Sequence, residues 1–335
     1  MRIFITGATG FIGSHLVRRL AKGGHQMDCL ARQTSRTETV REIGAKVIPG
    51  DVTDKESVVD GMRGCDAVVN LANFFEFWAP DPRVYRDVNI LGTGNIMEAA
   101  ITARVPKVIH VSTVATYGNA KWPITEASDV GAQCPSKYAE TKRAGDLVAW
   151  ELYRKGNLPL LMIYPGGVLG PDNDKAAGRY VSNLIRGKMP AQVLTRSLFP
   201  WVHVRDVAEA ILLALEKPGN LGEKYFVVAD NHTFGNINQM VRELSGARLP
   251  SLTLPDSLTI ALAHVVTRLA DLTKKPPMLD LAIDQIRLMK QGFQADGSKA
   301  TRDLGLSYTP IRVALEDEIR AIRSVGLHTV GAQPL

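Results

Sequence analysis

Residues 2–22 read RIFITGATGFIGSHLVRRLAK, and how this stretch is parsed decides the fold. Residues 2–6 are a short β-rich run, 11–22 carry apolar residues at helical spacing, and Gly7, Gly10 and Gly13 mark the junction. The first glycine permits a tight turn, the second lets an anion approach the backbone, and the third lets the helix pack on the strand. Free N–H groups and the helix dipole at such a junction hold a pyrophosphate. Glycine triads also occur in plain turns, so the weight here comes from the strand–loop–helix setting that begins at residue 2. The residues expected around a dinucleotide are Gly7, Thr9, Gly10, Phe11, Ile12 and Gly13.

Working outward, short β-rich runs recur at 26–31, 46–49, 67–71, 105–111 and 158–164, with helical patterns at 55–62, 85–103 and 136–155 between them. Regular alternation implies βαβ crossovers and a parallel sheet covered on both faces. The expectation is an α/β, doubly wound Rossmann sheet whose ligand sits at the strands' carboxyl ends. After about residue 165 the rhythm loosens. Strand 224–228 is the best of the second half, and helices dominate at 207–216, 236–244, 255–272 and 311–323. This predicts a dinucleotide-binding domain over 1–165, which also receives 200–216, and a smaller, mostly helical substrate lobe over 166–335, interleaved with it.

Composition narrows the function classes. The 335 residues are 45% hydrophobic and 22% charged, ample for a packed core and free of disorder-prone bias. The net charge of +6 is scattered, with no basic run and no interleaved stacking aromatics, so nucleic acid is not an expected partner. Met1 runs straight into a strand, and the longest apolar run, 258–270, contains His264 and Arg268. Neither a secretory leader nor an integral membrane segment is expected. Three isolated cysteines, Cys29, Cys65 and Cys134, suit a reducing, cytoplasmic setting. No cluster has metal-ligand spacing.

The tip of the second strand reports on the adenosine ribose. An acid there bonds the ribose hydroxyls, whereas a 2′-phosphate calls for a cation. The chain reads CLARQTSR at 29–36: Ala31 stands where the acid would be, Arg32 and Arg36 follow, and Asp28 lies inside the strand. NADP(H) is favoured, with Arg32 forking the phosphate and Arg36 helping. NAD(H) stays open, with both arginines solvated.

In SKYAETKRAGD, Tyr138 and Lys142 are four apart in a helical pattern and share a face. An ammonium at about 4 Å and an effective dielectric of about 20 attracts a phenolate by about 4 kcal/mol, enough to lower the phenol's pKa by up to about three before burial opposes it. A tyrosine so tuned gives or takes the proton of a carbonyl/alcohol pair. The spacing alone is cheap: Tyr117 also has Lys121 at the fourth position, but Gly118, Asn119 and Pro123 argue against a helix there. Hydroxyls at the end of the preceding strand supply a second polarising group, Thr113 first and Ser112 second. His110 reads as a satisfied core residue.

Seven segments, TGATGFIG at 6–13, DV at 51–52, VNILGT at 88–93, STVATYG at 112–118, YAETK at 138–142, YPGGVLGP at 164–171 and WVHVRDVAEA at 201–210, come in the order of the extended short-chain dehydrogenase/reductases, the NAD-dependent epimerase/dehydratase family. The chain resembles that family over essentially its whole length. WAPDP at 78–82, GRYVSNLIRGKMPA at 178–191 and DGSKATRDLGL at 296–306 look most like its dihydroflavonol reductase-like and hopanoid-associated branch.

The resemblance implies that Asp51 and Val52 contact adenine, Leu71, Ala72 and Asn73 pass under the cofactor, and Asn89 braces the central helix and strand. It implies that Pro165, Gly166, Gly167 and Val168 hold the nicotinamide carboxamide and face the substrate, and that Lys142 also bonds the nicotinamide ribose. His203 would be a structural turn. Tyr164 stands where the family usually has arginine, and Asn73 where it has a second alanine. The stretch NFFEFWAPDP at 73–82, an aromatic cluster without periodicity, would border the nicotinamide. Phe74, Phe75, Phe77 and Trp78 would then line a pocket for an apolar or aromatic compound, with Glu76 turned to solvent or to a substrate hydroxyl.

Three readings follow from the resemblance. The first is an NADP(H)-dependent reductase of a small-molecule ketone or aldehyde, with Tyr138 as general acid and Thr113 holding the oxygen. The second is a sugar-nucleotide epimerase or dehydratase that recycles a tightly held NAD. Such enzymes often carry an arginine where this chain has PDND at 171–174, although Arg179, Arg186, Lys188 and Arg196 remain for a diphosphate. The third, a nucleotide-binding sensor or scaffold, fits poorly with a chain that keeps both tyrosine and lysine. Pairing of the helices at 85–103 and 136–155 across a two-fold would give a homodimer, with Ile96 and Leu147 either at that interface or in the core.

Overall fold

The computed structural model describes residues 1–330, and the side chains of 1–324. The opening stretch folds as its pattern requires, β1 (Arg2–Thr6) running into α1 (Phe11–Lys22). Helix α1 buries Leu16, Val17 and Leu20 beneath the sheet, each contributing roughly 1.5–3 kcal/mol of apolar transfer. There follow β2 (Gln26–Ala31), α2 (Glu38–Glu42), β3 (Lys46–Pro49), α3 (Lys55–Met62) and β4 (Ala67–Asn70). A continuous helical run then comprises α4 (Arg83–Arg86), a π-helical segment at Asp87–Gly92 and α5 (Thr93–Thr102). The sequence pattern gave one uniform helix there. The wide turn carries Asn89, whose side chain grips the backbone of Phe74.

The first half closes with β5 (Val108–Val111), α6 (Lys137–Gly156) and β6 (Leu160–Pro165). Beyond it lie β7 (Gly167–Leu169), α7 (Ala176–Ile185), β8 (Leu198–His203), α8 (Val204–Glu216), β9 (Lys224–Val227) and β10 (Asp230–Thr233). The chain continues through α9 (Phe234–Ser245), α10 (Asp256–Thr273), α11 (Ile283–Gln291), α12 (Ser298–Leu304) and α13 (Ile311–Val330).

The main sheet has the order β3-β2-β1-β4-β5-β6-β9, every pair parallel. Strand order reverses between β1 and β4, so a crevice opens at their carboxyl ends. Alternate strand residues feed two cores. Phe4, Val68, Val108 and Met162 face α3, α5 and α6, whereas Ile3, Ile5, Val69 and Ile163 face α1 and α8. The strand read at 224–228 belongs to this sheet, beside β6.

A three-stranded sheet, β10-β8-β7, leans over the crevice, with its own core of Leu169, Trp201, Phe234 and Ile237. Strands β7 and β10 and helices α7, α11 and α12 were not legible in the sequence. All are short, and β7 and β10 are strands only through their pairing with β8. Among the described residues, no helix is long and apolar enough to cross a membrane.

Candidate active site

A cleft of about 660 Å³ runs along the carboxyl ends of the main sheet, floored by the loop between β1 and α1. Gly7 has φ +72°, and a Cβ there would lie 2.8 Å from the Leu71 carbonyl carbon. A Cβ on Gly13 would lie 2.1 Å from the Gly7 carbonyl oxygen. Both positions therefore exclude side chains, and α1 comes close beneath the loop. Its first turn has no acid and no capping side chain, which leaves helix N–H groups open to an anion. Gly7, Thr9, Gly10, Phe11, Ile12 and Gly13 all line the cleft.

Further along, Ala31 ends β2, and Arg32 and Ser35 form the wall beside it. Arg36, expected as a second phosphate ligand, does not line the cleft; the turn closed by Ser35 N–H on the Arg32 carbonyl carries it away. Asp28 is buried and paired with Arg2 at 2.5 Å, so no ribose reaches it. Asp51, Val52, Leu71, Ala72 and Asn73 also line the cleft, the first two beside Ala31 and the others beyond β4. Asn89 lies behind that wall. Its Oδ1 accepts from Phe74 N–H at 2.7 Å and its Nδ2 donates to Thr141 Oγ1 at 3.1 Å, tying the aromatic loop to α6.

Ser136 caps α6, its Oγ accepting from Ala139 N–H at 3.2 Å, and the first turn brings Tyr138 to the cleft wall with 7% of its surface exposed. Lys142, one turn on, is 1% exposed and sits behind the wall rather than in it. Its Nζ donates to the Val111 carbonyl at 3.0 Å. Burial pushes the Lys142 ammonium down to about 8 and the Tyr138 phenol upward. This reverses the expected lowering of the phenol by its lysine: loss of hydration outweighs the attraction of an ammonium turned toward a carbonyl.

Thr113 lines the cleft, its Oγ1 accepting from Ala115 N–H at 3.3 Å with the hydroxyl proton left to donate. Ser112 Oγ instead donates to Asp146 Oδ2 at 2.7 Å, which separates the two candidates. Asp146 anchors a buried polar chain that sequence reasoning missed. Thr6 Oγ1 donates to Asn70 Oδ1 at 2.7 Å, so the Asn70 amide donates to His110 Nδ1 at 3.0 Å. His110 Nε2 then faces Asp146 Oδ1 at 3.3 Å, out of line for a good hydrogen bond. Burial first of all pushes the imidazole's pKa down. The available signal was spacing, since Asp146 follows Lys142 by four and Tyr138 by eight on one helix face.

The aromatic loop divides its labour. Phe75 packs on the Tyr138 ring at 4.7 Å between centroids, with Phe77 at 6.4 Å. Phe74 meets Tyr85 edge-on at 4.9 Å. All three phenylalanines line the cleft. Trp78 does not: its indole N–H donates to Asp271 Oδ1 at 2.9 Å on α10. Glu76 lines the cleft, its side chain about one-third exposed. Its carboxylate meets Arg179 of α7 at 3.1 Å, and Arg179 reaches on to Asp280 at 3.2 Å.

Pro165, Gly166, Gly167 and Val168 line the cleft where β6 passes into β7. Cβ atoms on the two glycines would meet Pro200 O at 2.6 Å and the Trp201 ring at 2.8 Å. The far wall, also missed in the sequence, consists of Tyr180, Phe199, Trp201, Phe234, Leu288 and Met289. The basic residues reserved for a diphosphate, Arg179, Arg186, Lys188 and Arg196, all lie outside the lining, whereas Lys175 belongs to it. Tyr164 is buried with Tyr117 and Phe226. His203 caps α8, its Nδ1 accepting from Arg205 N–H at 2.9 Å.

Residues 3–229 match the family model described as NAD dependent epimerase/dehydratase family. Among curated proteins, Sterol demethylase protein B of Methylococcus capsulatus is 30% identical over 98% of this chain and 100% of its own length. A putative dihydroflavonol 4-reductase of Synechocystis sp. is 28% identical over 96% and 95%. Among solved structures, UDP-glucuronic acid 4-epimerase from Bacillus cereus, in complex with UDP-glucuronic acid and NAD, superposes with a TM-score of 0.78 at 22% identity. It covers 97% of this chain and 100% of its own, a likeness of fold.

Proposed function

The chain belongs to the NAD dependent epimerase/dehydratase family, and from that premise we propose that it is an NADP(H)-dependent reductase acting on a ketone or aldehyde of an apolar or aromatic small molecule. The observation that carries this reading is one continuous wall in which Phe75 lies on Tyr138, with Thr113 in the same cleft and the glycine loop at its other end.

The residues fit a dinucleotide. Gly7 and Gly13 of the cradle admit no side chain without losing its shape, and Gly10 has its Cβ position within 3.2 Å of the Gly7 carbonyl oxygen; uncapped N–H groups of α1 meet a pyrophosphate. Arg32 stands beside Ala31 for a 2′-phosphate and residues 165–168 for the carboxamide, while Lys142, behind the wall, reaches the nicotinamide ribose only by leaving the Val111 carbonyl. When bound, the nicotinamide supplies or accepts the hydride.

The chain's own residues do the rest. Tyr138, its pKa raised by burial, holds its proton at neutral pH and donates it to the substrate oxygen, as a reduction requires. Thr113 donates a second hydrogen bond to that oxygen. Phe75, Phe77 and the far aromatic wall exclude water and accept an apolar body. Two full-length relatives bear names that refer to polycyclic compounds, a sterol and a dihydroflavonol, in keeping with this lining.

The competing reading, a sugar-nucleotide epimerase with a retained NAD, draws on the solved neighbour. Against it, Arg179 is engaged with Glu76 and Asp280 outside the cleft lining, which leaves Lys175 as the cation at the substrate end of the cleft for a diphosphate. Denaturing freshly purified protein and identifying the released nucleotide separates the two. The reductase reading expects an empty site or partial NADP(H). Near-full occupancy by NAD+ overturns it.

A further inference from the structure

Helix α10 packs inward through buried Thr259, Ala263 and Ala270. Its outer face carries Leu258, Leu262, Val265, Leu269 and Leu272, exposed by 45%, 40%, 57%, 53% and 81%. Their spacing of 4, 3, 4 and 3 keeps all five in one stripe along the helix. Beyond the helix end, Met278 and Leu279 are exposed by 72% and 52%. Single apolar residues on a surface need no explanation, but a stripe of five that runs on into the next loop does.

The charges around the stripe are mainly positive. Arg268, Lys274 and Lys275 are exposed among the apolar residues. Of the acids, Asp256 is paired with Lys290 and Asp280 with Arg179, while Asp271 accepts a hydrogen bond from Trp78 and is the one carboxylate of the face without a cationic partner among the described residues. We propose that this face docks on an anionic phospholipid bilayer, lying in the interface with its leucines among the acyl chains and its cations at the headgroups. A second copy of the chain fits less well, because Met278 and Leu279 lie beyond the helix that would form the seam.

Docking there also orients the cleft. Helix α11 lies behind α10 and supplies Leu288 and Met289 to the cleft wall. The aromatic loop is fastened to the same region by Trp78–Asp271 and by the Glu76–Arg179–Asp280 bridge. An apolar substrate dissolved in the bilayer thus meets the apolar side of the cleft without crossing water. This delivery role rests on the reductase reading; the docking itself does not.

The test is flotation of the full-length protein, without nucleotide or substrate, with phosphatidylcholine vesicles that contain phosphatidylglycerol. The expected result is binding that falls at least about tenfold in Leu269→Ser/Leu272→Ser, and about fivefold per lysine in Lys274→Gln and Lys275→Gln. Both leucines are exposed, so the fold and the turnover of a water-soluble ketone should persist in the double variant. Failure of the wild type to float, or undiminished flotation of the leucine variant, overturns the proposal. So does a concentration-dependent oligomer in solution that the leucine variant abolishes, which would assign the stripe to a second copy.

Discussion

Lys142 and Asp146 sit one turn apart behind the tyrosine, the cation losing hydration and the carboxylate restoring part of that loss. The lysine's pKa, pushed down to about 8, makes its charge sensitive in the range where such an enzyme works. Asp146 raises that value, so Asp146→Asn should lower it further. The alkaline limb of the pH–rate profile then moves to lower pH, by on the order of one unit, while Asn Oδ1 still accepts from Ser112. An unmoved limb in the variant would leave Asp146 a purely structural role. At this scale the sequence yielded Tyr138, Lys142 and Thr113, because each belongs to a spacing with a mechanism. It did not yield the carboxylate, because its partners His110 and Ser112 come from β5 and its end, and only the fold brings them to α6. Nor could it yield the direction of the tyrosine's shift, which depends on burial and not on the neighbour in the helix.

Among the elements, α13 holds the smaller sheet through Glu318, 1% exposed, whose Oε2 accepts from Gly170 N–H at 2.9 Å while Oε1 has no partner. Burial pushes this carboxyl up to about 8, well above its usual value. A raised folded pKa means the native state holds a proton that the unfolded chain releases from about pH 4.5 upward. The stabilisation is therefore complete below about 4.5 and lost as pH rises through about 8. The melting temperature should fall across that window, and Glu318→Gln, which keeps a neutral side chain of the same shape, should flatten the fall. An equally steep fall in the variant would assign the pH dependence to other groups. Helices such as α1 and α6 could be read to within a residue because each has one buried stripe, with glycines flanking α1 and Ser136 and Asn157 capping α6. Strand β7 could not, since its three residues are strand only by virtue of their pairing with β8.

At the scale of the molecule, the doubly wound sheet was legible because seven parallel strands buried on both faces require apolar runs at regular intervals. The small sheet and the far aromatic wall were not, because Tyr180 of α7, Phe199 and Trp201 of β8, Phe234 of α9 and Leu288 and Met289 of α11 converge from separate segments. Ile96 belongs to the core, whereas Leu91 and Leu147 are exposed by 46% and 58% near the contact of α5 with α6. A homodimer that pairs these helices across a two-fold remains our proposal. It predicts that Leu147→Glu converts a dimer to a monomer in sedimentation velocity, and a wild-type monomer would refute it.

The central claim is proton donation by Tyr138 in a nicotinamide-dependent reduction, and the most direct measurement is NADPH consumption with an apolar aromatic ketone by the wild type and by Tyr138→Phe. The account predicts turnover by the wild type, a kcat lower by about 10²–10⁴-fold in the variant, and nucleotide affinity nearly unchanged, because the phenol is not among the cofactor's anchors. Equal turnover by the two proteins would contradict it.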